Sequence, residues 1–310
     1  MSRPDPAQLT TFLKAKAREL GFAAVGISKA DFLEEEAPRL EAWLKAGYQG
    51  KMSYMERNFD KRLDPRLLVE GAKSVVSLAV HYQVSEDLIP RNNYRIARFG
   101  LGKDYHFVIR EKLEQLVQAL EPLSGPLQYR VFTDSAPVME RAWAKRSGLG
   151  WTGKNANLII PRWGSWFLLA ELISDLELTY DRAFEKDYCG TCTNCIDACP
   201  TGAIIAPKVI EARKCISCYT TEFKGELPSE LKDSISPWIF GCDICQEVCP
   251  WNNFKLSPAQ HWLEPNPILA KMPKDEWDML NKQSFDRLFK NAGINRIGYT
   301  RLMRNISLVK

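Results

Sequence analysis

Cys189-Gly-Thr-Cys192-Thr-Asn-Cys195-Ile-Asp-Ala-Cys199-Pro200 sets four thiols at gaps of two, two and three residues and ends on a proline. Two-residue gaps let one tight loop wrap three thiolates around one face of an iron–sulfur cubane. The fourth thiol, three residues on and followed by proline, points away toward a second cluster. A stretch of this kind needs a complement, and Cys242-x2-Cys245-x3-Cys249-Pro250 supplies it, preceded by Cys215 and Cys218.

By the same crossing rule, Cys189, Cys192, Cys195 and Cys249 are expected to hold one [4Fe-4S] cluster. Cys199, Cys242, Cys245 and either Cys215 or Cys218 are expected to hold the other. Nine cysteines less eight ligands leave one thiol spare. Two zinc ions would also take four thiolates each, but zinc sites seldom interlock through a Cys-x3-Cys-Pro ending. The segment reads as a bacterial ferredoxin-like two-cluster domain, a short wire for single electrons.

The 310 residues leave room for a large domain beside small ones, and 45% hydrophobic with 26% charged residues is ordinary for a globular chain. The longest largely apolar stretch, Trp166 to Ile173, is eight residues and is interrupted by Glu171, far short of the roughly 20 that cross a bilayer. The N-terminus shows neither a signal-like h-region nor a twin-Arg pair, so a cytoplasmic protein without membrane contact is expected. Thiols stay reduced there, which favours metal binding over disulfides. Lys271 to Lys310 carry nine Lys and Arg against four acids. Such a basic segment suits a phosphate backbone, or is a solvated helical face.

An α+β domain is expected over residues 1–180. Its strands are Phe22–Ile27, Ser74–Val80, Tyr129–Thr133, Asn157–Ile160 and Trp166–Ala170, short β-branched or aromatic runs between breakers. Its helices are residues 7–20, Pro38–Ala46, Tyr105–Leu120 ending before Pro122, and Pro137–Ser147. The cluster domain takes 181–256, and 257–310 reads as a short, basic helical tail. No G-x-G-x-x-G follows a strand and no phosphate-binding Gly-x4-Gly-Lys-Ser/Thr occurs, so the electron acceptor is not reported by nucleotide motifs.

The run Cys189 to Pro200 with Thr201-Gly-Ala-Ile204, then Cys215-Ile-Ser217 and Gly241-Cys-Asp-Ile-Cys-Gln-Glu-Val-Cys-Pro-Trp-Asn252, resembles the epoxyqueuosine reductase family. So do Arg98-Phe-Gly-Leu-Gly-Lys-Asp-Tyr-His106, Thr133-Asp-Ser-Ala-Pro137, Glu140-Arg141 and Gly148-Leu-Gly-Trp-Thr-Gly-Lys-Asn155. The likeness covers roughly residues 5–255. Many members continue into a longer helical-repeat region, whereas about 55 residues remain here. The resemblance implies an α/β-sandwich domain holding cobalamin, reduced through the two clusters by an external low-potential donor. It also implies deoxygenation of epoxyqueuosine at the wobble position of a tRNA anticodon stem-loop, and a monomer is expected. The position after Ile-Ser, usually aromatic in the family, is Cys218 here, which makes Cys218 the spare thiol and Cys215 the ligand.

Asp134 ends a strand just before a helix, so its plain reading is an N-cap; the resemblance makes it the proton donor. A helix N-terminus would favour its carboxylate, and an acid there needs burial to raise its pKa. The candidate cofactor-binding set is Arg57, Ala97, Arg98, Asp104, His106, Asp134, Arg141, Lys154 and Asn155. Its Arg and Lys suit phosphate, whether of the cofactor or of tRNA. His106 is not read as a cobalt ligand, because Ile109 stands where the Asp-x-His-x-x-Gly pattern needs glycine. His81 and His261 read as core or surface residues, and core packing is the expectation for Trp143, Trp151, Trp163 and Trp166 over stacking on a macrocycle. Two rival activities remain at this point, a corrinoid iron–sulfur reductive dehalogenase and a ferredoxin-type electron-transfer subunit.

Overall fold

The strand Ser74–His81 is buried at every residue, because its alternating small and β-branched side chains can meet an apolar layer on both faces. It pairs antiparallel with Ala24–Lys29 on one side and Phe167–Ser174 on the other, and Tyr129–Phe132 closes the four-stranded sheet beyond. The computed structural model describes residues 5–82, 84, 88–89, 93–253 and 263–310. His261 and the expected domain boundary at 256/257 lie outside the described residues.

Alternation along Ser74–His81 sends Val76, Leu78 and Val80 to one face. There Leu9 and Leu13 of the helix Pro6–Glu19 and Ile109, Leu113, Leu116 and Leu120 of the helix Tyr105–Ser124 cover them. Val75 points the other way, into Leu40, Leu63, Val69, Phe132 and Trp143. Each such Leu or Ile fully removed from water contributes about 1.5–3 kcal/mol. Helical layers on both faces of one sheet are the expected α/β sandwich.

Two helix boundaries differ from expectation. The helix from Tyr105 runs through Pro122 to Ser124. A proline in the last turn removes one donor only, and buried Leu116, Val117, Leu120 and Ser124 hold that turn on the core. The helix expected from Pro137 starts at Glu140, since the chain from Thr133 to Val138 closes successive tight turns, Ser135 N–H to Thr133 O, Ala136 N–H to Asp134 O and Val138 N–H to Ala136 O. Asp134 therefore sits in a turn at φ +55° and caps no helix.

The C-terminal helices Lys274–Asp278, Lys282–Leu288 and Gly298–Val309 bury Trp277, Phe285, Phe289, Leu302 and Ile306 in one core with Tyr94, Ile96, Ala97, Trp238, Ile239 and Phe240. Asn305, almost fully buried, ties that core with two amide hydrogen bonds, to Thr220 O at 2.9 Å and Ile239 O at 2.8 Å. Trp143, Trp151 and Trp166 are core residues, whereas Trp163 is 40% exposed. His81 is buried with its ring tilted against Phe167. Among the described residues no helix is long and apolar enough to cross a membrane.

Candidate active site and cluster site

The short helices Asn194–Asp197 and Ile244–Glu247 each lie within a Cys-rich run, and each run closes at a Cys-Pro pair. Burial raises the Cys249 thiol, and Cys189, Cys195 and Cys192 beside it add to the rise. Burial likewise raises Cys242, with Cys215 and Cys199 adding to it, and Cys245, with Cys242 and Cys215 adding to it. The thiols thus gather in two groups that cross between the runs. Cys215 receives the backbone N–H groups of Cys218 and Ser217 and faces Cys199, while Cys218 stands at the edge of that group beside Glu222. Further donors reach sulfur, Trp151 Nε1–H to Cys189 Sγ at 3.5 Å and Ala203 N–H to Cys199 Sγ at 3.3 Å. Among the described residues no three His, Cys, Asp or Glu side chains close on a point that would hold a single metal ion. Thiolates on the corners of a cubane stand farther apart than thiolates sharing one zinc.

Several candidate residues join the sandwich to these loops. The Lys154 ammonium donates to Gly190 O at 2.7 Å and Cys192 O at 2.9 Å, and the Asn155 amide to Cys245 O at 3.1 Å. Ala97 packs against Gly241, where a Cβ would stand 2.4 Å from the Ala97 Cβ, so the approach at φ +65° requires glycine. Arg98 is buried over the Trp166 ring at 4.3 Å, its backbone N–H donates to Asp243 Oδ2 at 2.8 Å, and its side chain lies 4.0 Å from that carboxylate. Burial pushes Asp243 up to about 7 although Arg98 opposes the rise. Arg57 and Arg141 are exposed, Arg141 donating to Ala156 O at 2.6 Å.

At the end of the strand Tyr129–Phe132, the Asp134 side chain is 62% exposed. Its Oδ2 lies 3.0 Å from His106 Nε2 and accepts from the Tyr105 hydroxyl at 3.2 Å. On the far side of the ring, His106 Nδ1 is 2.7 Å from Asp104 Oδ1, and Asp104 caps the helix by accepting the His106 N–H at 3.0 Å. Arg296, from the C-terminal segment, reaches Asp104 at 3.5 Å and donates to Ser135 Oγ at 2.9 Å. Burial pushes Asp134 upward, but the hydrogen bond and charge of His106, the Tyr105 hydroxyl and Arg296 outweigh it, leaving its pKa below the usual carboxylate value. Burial lowers His106, and Asp104 and Asp134 more than reverse this, so it stays charged above its ordinary 6.5.

Tyr54 ties the two parts together. Burial raises its hydroxyl pKa, and the charges of Glu222, Asp134 and Cys218 raise it further. The Tyr54 hydroxyl donates to Glu222 at 3.4 Å and lies within electrostatic reach of both Cys218 and the Asp134 carboxylate. Sequence reasoning singled out Asp104, His106 and Asp134, but it missed Tyr54, Tyr105, Glu140, Glu171 and Arg296. Glu140 stood inside a quoted block, and Tyr105 lay between two named candidates. For Arg296 only the basic excess of its segment was visible.

Residues 188–252 match the model of a 4Fe-4S double cluster binding domain, and residues 62–135 match that of epoxyqueuosine reductase QueG. An epoxyqueuosine reductase of Cyclobacterium marinum is 50% identical over 302 residues, covering 97% of this chain and 96% of that protein. The crystal structure of an epoxyqueuosine reductase with an epoxyqueuosine-modified tRNA-Tyr stem loop superposes with a TM-score of 0.89 at 33% identity, over 97% of this chain and 80% of that one. A Bacillus subtilis epoxyqueuosine reductase whose catalytic aspartate loop is swung out of the active site gives 0.87 at 33%, over 97% and 81%. A reductive dehalogenase described in terms of B12-dependent dehalogenation shares the fold, at TM-score 0.51 and 16% identity over 98% of this chain and 39% of that one.

Proposed function

This chain belongs to the epoxyqueuosine reductase family, and on that footing we propose that it reduces epoxyqueuosine in the anticodon stem-loop of tRNA with cobalamin, two [4Fe-4S] clusters and Asp134 as the acid. The observation that carries this reading is the Asp134 carboxylate held 3.0 Å from a His106 that both neighbouring carboxylates keep charged, in a chain whose thiols gather in two crossing groups. An electron source and a proton source are proposed to meet at an opening beside Asp134.

The reaction takes two electrons and two protons and turns the epoxide into an alkene plus water. Electrons come singly from an external low-potential donor. Cys189, Cys192, Cys195 and Cys249 would hold one cluster and Cys199, Cys215, Cys242 and Cys245 the other, and the pair would supply single-electron transfer. Cobalamin, when bound, supplies low-valent cobalt, a nucleophile strong enough to open a strained three-membered ring. The fold shared with a protein described as B12-dependent supports its presence, and so does the donor set at the opening. Arg57, Ala97, Arg98, Asp104, His106, Asp134, Arg141, Lys154 and Asn155 are the residues proposed to hold it. Arg98 and Lys154 spend their charges on Asp243 and on loop carbonyls, so exposed Arg57 and Arg141 are the guanidinium groups left for its polar side chains or for tRNA phosphate.

Asp134 is a carboxylate in the free protein, and His106 is its proton reservoir. A proton held at His106 Nε2 crosses 3.0 Å to Asp134 Oδ2 and from there to the departing oxygen, while Asp104 and Arg296 fix the ring from behind. Loss of water from the opening as substrate covers it raises the Asp134 pKa toward that of a donor. The catalytic aspartate loop named for the Bacillus subtilis relative supports the same residue. The protein is proposed to act as a cytoplasmic monomer, with residues 1–180 housing the cofactor, 181–256 the clusters, and 257–310 closing the site with Arg296 and adding basic surface for tRNA.

The test is anaerobic incubation of reconstituted protein with cobalamin, a strong reductant and an epoxyqueuosine-containing stem-loop, followed by mass measurement of the nucleoside. Loss of one oxygen supports the reading. An unchanged nucleoside with intact clusters and bound corrinoid ends it.

A further inference from the structure

Glu171 is fully buried in the middle of the strand Phe167–Ser174, and in the ionised form neither carboxylate oxygen finds a donor. On its flanks the sheet offers only Ser77 and Phe132 in register. The group that reaches it is another carboxyl, Glu140, at the start of the helix Glu140–Arg146. Two carboxylates cannot hydrogen-bond to each other, whereas a carboxyl and a carboxylate can. The Glu140 carboxylate faces outward as well, accepting the Asp134 backbone N–H at 2.6 Å. That N–H belongs to the residue at φ +55°, a conformation L residues adopt only under constraint.

We propose that Glu140 and Glu171 share one proton and that this pair, through the Glu140 acceptor on the Asp134 N–H, positions Asp134 in its left-handed turn. Both residues are positioning residues, and the link to catalysis rests on the reading of Asp134 as the acid. A shared proton leaves Glu171 satisfied and keeps one negative charge on Glu140, which makes its bond to the peptide N–H charge-assisted. Burial raises both carboxyls; Glu140 raises Glu171 further, whereas the hydrogen bond from Glu171 holds Glu140 down and the Asp134 charge raises it. The charged or titratable groups facing the pair are Asp134 from the turn, Arg141 from the helix and Tyr105 from the helix Tyr105–Ser124. Loss of the shared proton at alkaline pH would set two buried like charges against each other and push Glu140 off the turn.

Hydrogen exchange of the peptide covering 133–139, corrected for intrinsic rate, reads the latch without reference to turnover. In the cluster-loaded protein the segment should be protected while the pair keeps a proton and lose protection at alkaline pH, once Glu171, held well above the ordinary carboxyl value, gives that proton up. Glu171→Gln places a permanent amide donor against Glu140, so the alkaline loss of protection should disappear. Glu140→Ala should lose protection at every pH and lower kcat by about 10²-fold with KM little changed, as a misplaced group does. Alkaline loss unchanged in Glu171→Gln, or full protection in Glu140→Ala, overturns the proposal. If protection behaves as stated while Asp134→Asn keeps full turnover, the latch stands and the acid assignment falls.

Discussion

His106 stands between two carboxylates, with Nδ1 2.7 Å from Asp104 Oδ1 and Nε2 3.0 Å from Asp134 Oδ2. One ring thus joins a buried helix cap to an exposed carboxylate, and the imidazolium is the charge that both carboxylates favour. The charge on this ring and the position of the Asp134 side chain are therefore linked.

Replacing Asp134 by Asn should leave both clusters and the bound corrinoid in place and cost 10²-fold or more in turnover, about the share of a general acid. Single-turnover nucleoside analysis with matched iron content measures it. Wild-type turnover would remove Asp134 from the role.

The charged state of His106 gives a pH signature. Its folded pKa is raised, so its contribution to stability is fully present below 6.5 and fades as pH rises through the raised value. Asp104 and Asp134 are lowered, so theirs is present above 3.8 and fades as pH falls through the lowered values. Turnover should fall on the alkaline side as His106 loses its proton, and His106→Gln should erase that limb. A limb identical in the variant rejects the reservoir role.

Arg296 joins the C-terminal segment to Asp104 and Ser135. Arg296→Gln should lower kcat about tenfold, the scale of a lost charge-assisted hydrogen bond, while iron content stays at the wild-type level. An unchanged kcat would make Arg296 a surface charge only.

Cys215 and Cys218 give an iron count. Cys215→Ser should reduce reconstituted iron from about eight to about four per chain, and Cys218→Ser should leave it near eight. The reverse pattern would exchange the two assignments.

Asn305 donates to two carbonyls in a dry core. Asn305→Leu leaves Thr220 O and Ile239 O without those donors and should cost about 3 kcal/mol, read from chemical denaturation of the cluster-loaded protein. A loss below about 0.5 kcal/mol would mean that the core relaxes or admits water.

Cysteine spacing made the two-cluster segment legible, because the gaps between ligands in one loop are set by local chain geometry. The β-branched run Ser74–Val80 between breakers marked a strand, but its central place in the sheet came only from the structure. Asp104, His106 and Asp134 stood out within quoted blocks, but their contacts did not. Asp134 and its N–H partner are six residues apart, and the backbone turn that joins them follows no helical or strand period. Arg296 meets Asp104 across 192 residues and Glu171 lies 31 beyond Glu140, distances over which one sequence carries no spacing rule. The local pattern determined the elements, the two-cluster segment and the family likeness. Packing of the sheet against its helices and of the C-terminal core against Ala97 decided which charged groups meet, because desolvation and ion pairing depend on what surrounds a group in space and not on its neighbours along the chain.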